Sequence, residues 1–285
     1  MRRVLTRPVT ITGRNVFGLP AYVALRPIET RGVWWQPREG AKPVLISHTR
    51  LESRAFHCIA LSLHPRHWSL HIPEHLLGIL CAAGMDGLMV QTGRTGLPYD
   101  GCAKLFWEAL EPASREEGEL LRYTPNAPVE VKVGGDSAKS IQFLPDTQAS
   151  TLRITVTVDY ADVGTHPLSV ALDEVDLALL AASRPWGRTW VSELAATICG
   201  TRSRFVWFDR EDHHAQREQK LTEVAWHRIL DLLGALLHAF PSGGTLVGTI
   251  ESMPRVGHAA DVRLVQQLHR VGVQPVRAGR RLGVV

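Results

Sequence analysis

The chain has 285 residues, 45% of them hydrophobic and 21% charged, which excludes an intrinsically disordered protein and allows a large buried core in one or two domains. The formal charge of +4 is only mildly basic, and its arginines are scattered: Arg2, Arg3 and Arg7, then Arg202 and Arg204, then Arg277, Arg280 and Arg281. Without a basic stripe, nucleic acid is not the expected partner; an anionic small molecule fits better, and a peripheral membrane contact is compatible.

Cys58, Cys81, Cys102 and Cys199 form no Cys-x-x-Cys pair, which suits a reduced, cytoplasmic protein and offers no zinc knuckle. The N-terminal charges of Arg2, Arg3 and Arg7 are followed by no apolar run, so no signal peptide is read there. No window reaches 18 uninterrupted apolar residues. A soluble cytoplasmic monomer is the expectation.

In chain order, short β-like runs cover 9–11, 22–25, 33–35 and 44–47, and residues 56–63 and 68–72 flank a turn at His64-Pro65-Arg66. A helix follows, with Pro73 and Glu74 in its first turn, apolar residues from Leu76 to Ala83, and Gly84 as its stop. Residues 88–90 read as a strand and 103–110 as a second helix. The stretch 111–128, with three prolines and the run Ser114-Arg115-Glu116-Glu117-Gly118-Glu119, reads as a linker. Strands are then expected at 129–133, 140–144 and 152–158, a helix at 172–182 and a strand at 205–208. A long amphipathic helix at 222–238, a strand at 245–251 and a helix at 259–269 complete the order. Strands followed by helices, twice, predict two related α+β domains, 1–115 and 125–285, with helical layers meeting between outer sheets.

Glu74-His75 and the stretch from His227 to Asp231 carry the chemistry. A helix brings residues four apart onto one face, so His227 and Asp231 can address one ion. A catalytic zinc takes three nitrogen or oxygen ligands from protein and leaves a position for water, whose proton a neighbouring glutamate can accept. The spacing by itself is unspecific, and His75 alone on an apolar helix reads more readily as a satisfied core histidine than as a ligand. Glu74 alone reads as a residue that suits the helix dipole.

Several segments resemble the zinc-dependent UDP-3-O-acyl-N-acetylglucosamine deacetylases of lipid A biosynthesis. They are Leu25-Arg26-Pro27 with Gly32-Val33, Pro73-Glu74-His75-Leu76 continuing to Gly84-Met85-Asp86, and Pro98-Tyr99-Asp100-Gly101. His227-Arg228-x-x-Asp231-x-x-Gly234 and Gly257-His258 follow in the family's order. The resemblance implies Zn2+ held by His75, His227 and Asp231, with Glu74 as general base. It also implies His258 as the group that stabilises the oxyanion or protonates the leaving amine, on an acylated UDP-amino sugar. Arg228 and Arg184 are candidates to meet the diphosphate, and Trp186 to line the substrate site.

The departures are specific. Arg228 stands where the family has lysine. Ala235 stands where it has a carboxylate that supports the histidine at 258. Pro185, within Ser183-Arg184-Pro185-Trp186-Gly187, replaces a threonine and has neither hydroxyl nor N–H to offer. Val16 and Phe17 occupy a turn where the family places a histidine. Two other readings stay open: a paralogue deacetylating another N-acetylated sugar, and a non-catalytic zinc protein that binds sugar nucleotides.

Other conspicuous residues have plainer readings. His213-His214, beside Glu211 and Asp212, read as a solvated loop, and His64, His67 and His71 as surface. Trp34, Trp35, Trp190 and Trp207 read as core.

Overall fold

Alternating apolar residues build two five-stranded sheets. In the strand Leu152–Tyr160, for example, Leu152, Ile154, Val156 and Val158 are buried while Arg153 is exposed, the two-residue period of a sheet with one wet face. The computed structural model describes residues 1–54, 58–64, 68–160, 164–187, 202–208, 212–240 and 243–276.

The first sheet runs Val9–Arg14, Pro20–Pro27, Leu88–Thr92, Val33–Gln36, Val44–Leu45. The second runs Val129–Val133, Asp136–Pro145, Gly248–Ser252, Leu152–Tyr160, Gly164–Ala171. Both follow one plan. A hairpin is followed by a strand from far along the chain, antiparallel to that hairpin and parallel to the first strand of a second hairpin. This repeated order is the α+β architecture expected from the sequence. The stretch 111–128, expected as a linker, carries strands of its own. Ser114–Glu116 pairs with Arg3–Leu5, and Arg122–Pro125 sits between Thr245–Leu246 and Val273–Pro275. Pieces of three or four residues are too short to register as periodicity.

Five helices are described: α1 (Glu74–Ala82), α2 (Lys104–Leu110), α3 (Leu177–Ala182), α4 (His214–Leu236) and α5 (His258–Val271). No described helix is long and apolar enough to cross a membrane. Helix α4 starts earlier than hydrophobic periodicity suggests. His213, expected in a loop, is its N-cap: Nδ1 accepts from the Gln216 N–H at 3.4 Å, and the Gln216 side chain returns a bond to the His213 N–H. His214 is the first helical residue and His71 is exposed, while His67 and Trp190 lie outside the described residues. Residues 205–208 form no strand; Val206 makes only an isolated bridge with Trp186. Trp35 and Trp207 are buried, and Trp34 is half-buried.

Helix α1 is apolar on every side, with Leu76, Leu77, Ile79 and Leu80 sealed in the core, so it must be covered all round. Helix α4 crosses it at glycines. A Cβ on Gly78 would come 2.3 Å from the Leu230 carbonyl oxygen, and one on Gly234 would come 2.3 Å from that of Glu74. Backbone meets backbone, and the two glycines set the spacing of the helices.

His238, just beyond α4, ties the halves of the chain together. Its Nε2–H donates to the Thr49 carbonyl at 2.6 Å, so its Nδ1 is left to accept from His269 Nε2 at 3.2 Å. Burial pushes this imidazole down to about 4, against an ordinary 6.5. The unfolded chain therefore takes up a proton that the folded chain refuses. The contribution is present in full above the unfolded value and is lost as pH falls from 6.5 towards about 4. A His238→Gln variant is expected to have a flatter pH dependence in that window, by up to about 1.4 kcal/mol per pH unit. Urea unfolding at several pH values checks this; slopes that match the wild type would contradict it.

Candidate metal centre

Burying four polar side chains at one helix crossing is costly unless they serve one another or a ligand. Glu74 and His75 open α1, and His227 and Asp231 lie one turn apart on α4; all four are nearly inaccessible. His75 Nε2 lies 3.7 Å from Asp231 Oδ1, and His227 Nε2 lies 3.5 Å from the same oxygen. One donor atom from each of the three falls within 4.8 Å of the others. Tetrahedral donors about 2.1 Å from a common ion stand roughly 3.4 Å apart, so this triangle is close to the size a metal needs. The structure thus brings together all three residues expected as ligands.

The imidazoles are oriented from behind. His227 Nδ1–H donates to the Ser183 carbonyl at 3.0 Å, which leaves the Nε2 lone pair facing Asp231. Tyr99 stacks on the His75 ring at 5.4 Å with 22° between planes. Burial first, and the neighbouring His227 second, push His75 down to about 3, so its ring is neutral at neutral pH. Asp231 is opposed by its burial. The neighbouring imidazoles of His227 and His258 and the Arg228 guanidinium outweigh that and hold it below the ordinary carboxylate range.

Two observations bear on whether a metal fits these residues. Asp231 Oδ1 is buried with no hydrogen-bond partner although two imidazole nitrogens face it, and Glu74 Oε2 is buried and unpartnered beside it. A cation would satisfy the first, and a water on that cation the second, so the donor set fits a metal. The family model for UDP-3-O-acyl N-acetylglycosamine deacetylases matches residues 2–270. The chain belongs to this deacetylase family. A comparison with curated proteins gave no match.

Within the deacetylase frame, the remaining expected residues fall in two groups. His258, at the start of α5, reaches the centre: its Nε2 is 3.5 Å from Asp231 Oδ2. Arg228 does not present its charge outward for a diphosphate. It turns inward, bonding Asp261 Oδ2 through Nη1 at 2.9 Å, Asp261 Oδ1 through Nη2, and Ser252 Oγ at 3.4 Å. Arg184 is held by Glu223 at 2.7 and 3.2 Å and by the Ser203 carbonyl at 3.1 Å, so its fork is also largely engaged. Trp186 packs edge-on against Phe208 at 6.4 Å. Pro185, which lacks an N–H, contributes its carbonyl instead, accepting from Val206 at 2.8 Å.

Sequence reasoning missed Tyr99 and Asp261. Tyr99 lay inside the recognised Pro98–Gly101 turn, but nothing in a turn predicts stacking on a ligand of another element. Asp261 sits three residues after His258, the spacing of neighbours on a helix face, and that was the available signal.

Proposed function

We propose that this protein is a zinc-dependent amidohydrolase that removes the N-acetyl group from an acylated, UDP-linked N-acetylated amino sugar. The observation that carries the reading is the unpartnered Asp231 Oδ1 facing the Nε2 atoms of His75 and His227 beside a buried, unpartnered Glu74 oxygen. These donors, two imidazole nitrogens and one carboxylate oxygen, are the set that suits zinc with a position left for water. Zinc held there would polarise the acetyl carbonyl and make a water acidic near neutral pH.

The chain's own groups supply the proton handling. Burial first, and the negative charge of Asp231 second, raise the Glu74 carboxyl well above its ordinary range. With a cation held by His75, His227 and Asp231, that rise would be opposed and Glu74 would be free to act as base. When Glu74 takes the attacking water's proton, the apolar walls favour the protonated form it has reached. His258, on the opposite side of Asp231, is placed to donate a proton to the departing amine. Each proton thus has a donor and an acceptor on the chain.

The test is acetate release from a UDP-3-O-acyl-N-acetylated amino sugar by zinc-loaded protein. Turnover supports the reading. If that substrate is inert while another N-acetylated sugar turns over, the paralogue reading replaces it. If neither turns over, the non-catalytic reading does.

A further inference from the structure

We propose that Asp261 is the positioning residue for His258, a task that the family resemblance gives to a carboxylate at position 235, where this chain has alanine. The inference rests on the reading of His258 as the group serving the leaving amine. Position 235 is fully buried, so its alanine is a closed packing site and offers His258 no polar atom. The carboxylate has not gone from the neighbourhood. Asp261 is completely inaccessible, lies on the same face of α5 as His258, and holds its Oδ2 3.7 Å from His258 Nδ1.

The His258 ring makes the direction of the interaction plain. Its Nε2 faces Asp231 at 3.5 Å, on the metal side. Its Nδ1 is buried, has no hydrogen-bond partner, and among the described residues meets one acidic oxygen within ion-pair range, that of Asp261. A buried ring nitrogen pointing at a carboxylate carries the hydrogen, which leaves Nε2 to deal with the substrate. A small rotation of either side chain closes 3.7 Å to a hydrogen bond.

Arg228 makes the arrangement rigid. Its planar fork grips both oxygens of Asp261, with Ser252 behind it, and thereby fixes a carboxylate on α5 from a residue on α4. Lysine, a point donor, cannot hold a carboxylate by two parallel bonds. Arginine at 228, alanine at 235 and aspartate at 261 therefore work as one coupled exchange. The negative charge has moved from α4 to α5, and the fork that anchors it has come with it. A carboxylate oxygen has two lone pairs, so Oδ2 can serve Arg228 and His258 together.

The experiment uses zinc-loaded full-length protein in three forms: wild type, Asp261→Asn, and Asp261→Asn combined with Ala235→Asp. Zinc content, kcat and KM for acetate release, and the ring nitrogen NMR signals of His258 (assigned with His258→Gln) are read for each. Asp261→Asn is expected to keep its zinc and lower kcat by about 10- to 100-fold, with KM changed less than about twofold, as removal of an orienting partner does. The His258 signals should shift from the form protonated at Nδ1 to a mixture. Returning the carboxylate at 235 should recover most of the lost kcat. Wild-type kcat and unchanged ring signals in Asp261→Asn would overturn the proposal. If Asp261→Asn does not fold, the wild-type spectrum decides: a ring that carries a hydrogen at Nδ1, neutral or doubly protonated, supports the proposal, and a neutral ring protonated at Nε2 alone refutes it. That spectrum needs no turnover, so an inactive wild type would defeat the deacetylase reading and leave this one separately decided.

Discussion

Replacing Glu74 by glutamine is expected to lower kcat by about a hundred- to ten-thousand-fold while one zinc stays bound per chain. Glutamine keeps the shape of the side chain but cannot take a proton from water. Because Glu74 is not among the three ligand atoms that face one another, the metal should be held as before. The same variant carries a second, opposite signature in the metal-free protein. Burial and Asp231 raise the Glu74 carboxyl above its value of 4.5 in the unfolded chain. A carboxyl raised by folding contributes its full share of stability below the unfolded value and loses it as pH rises through the folded one. Metal-free Glu74→Gln should therefore be more stable than metal-free wild type at neutral pH, and the gap should close as pH falls towards 4.5. A variant that loses activity together with zinc would instead mark Glu74 as a structural support of the site.

The second large effect is expected from Gly234→Ala, a single methyl added at the helix crossing. The added carbon would lie 2.3 Å from the Glu74 oxygen, 2.7 Å from its Cα and 2.9 Å from its carbonyl carbon. All three are backbone atoms, so no side chain can swing aside. Ordinary contact is about 3.5–4.0 Å, so α1 and α4 must part by an ångström or more. The proposed ligands straddle that crossing, with His75 Nε2 on one helix only 3.7 Å from Asp231 Oδ1 on the other. Overpacking of this kind costs about 1–3 kcal/mol or more, and here it also pulls the ligand triangle open. A fall in melting temperature of several degrees, about 2–4 °C per kcal/mol for a chain of this size, should accompany much weaker zinc retention. Gly234→Ala protein with full zinc and full activity would contradict the glycine spacing argument.

The three residues proposed as metal ligands could be picked out in sequence because each is local to a helix: His227 and Asp231 by their spacing of four, His75 by its neighbour Glu74. The repeated α+β plan was legible because strands such as Leu152–Tyr160 alternate strictly. Sheet order was not. Leu88–Thr92 and Gly248–Ser252 enter the middle of their sheets from far along the chain, and no local pattern encodes a non-local partner. The first turns of α4 were missed because their surface is polar on every side and only the His213–Gln216 cap marks the start. The bonding of Arg228 was not legible for a related reason. Its real partner, Asp261, comes from another helix. Ala235 looked like a lost carboxylate because the charge facing His258 comes from Asp261 on another helix, one turn from His258 itself.

Zinc content of the reloaded protein, measured by native mass spectrometry for wild type and Asp231→Asn in parallel, tests the metal centre most directly. Asp231 is the residue both imidazoles face, and asparagine keeps its volume while removing the charge that a dication requires. The predicted result is one zinc per wild-type chain, and far weaker retention in Asp231→Asn with the fold intact. A wild-type chain that binds well below one zinc, or an Asp231→Asn chain that holds it equally well, would contradict the assignment of His75, His227 and Asp231 as the metal ligands.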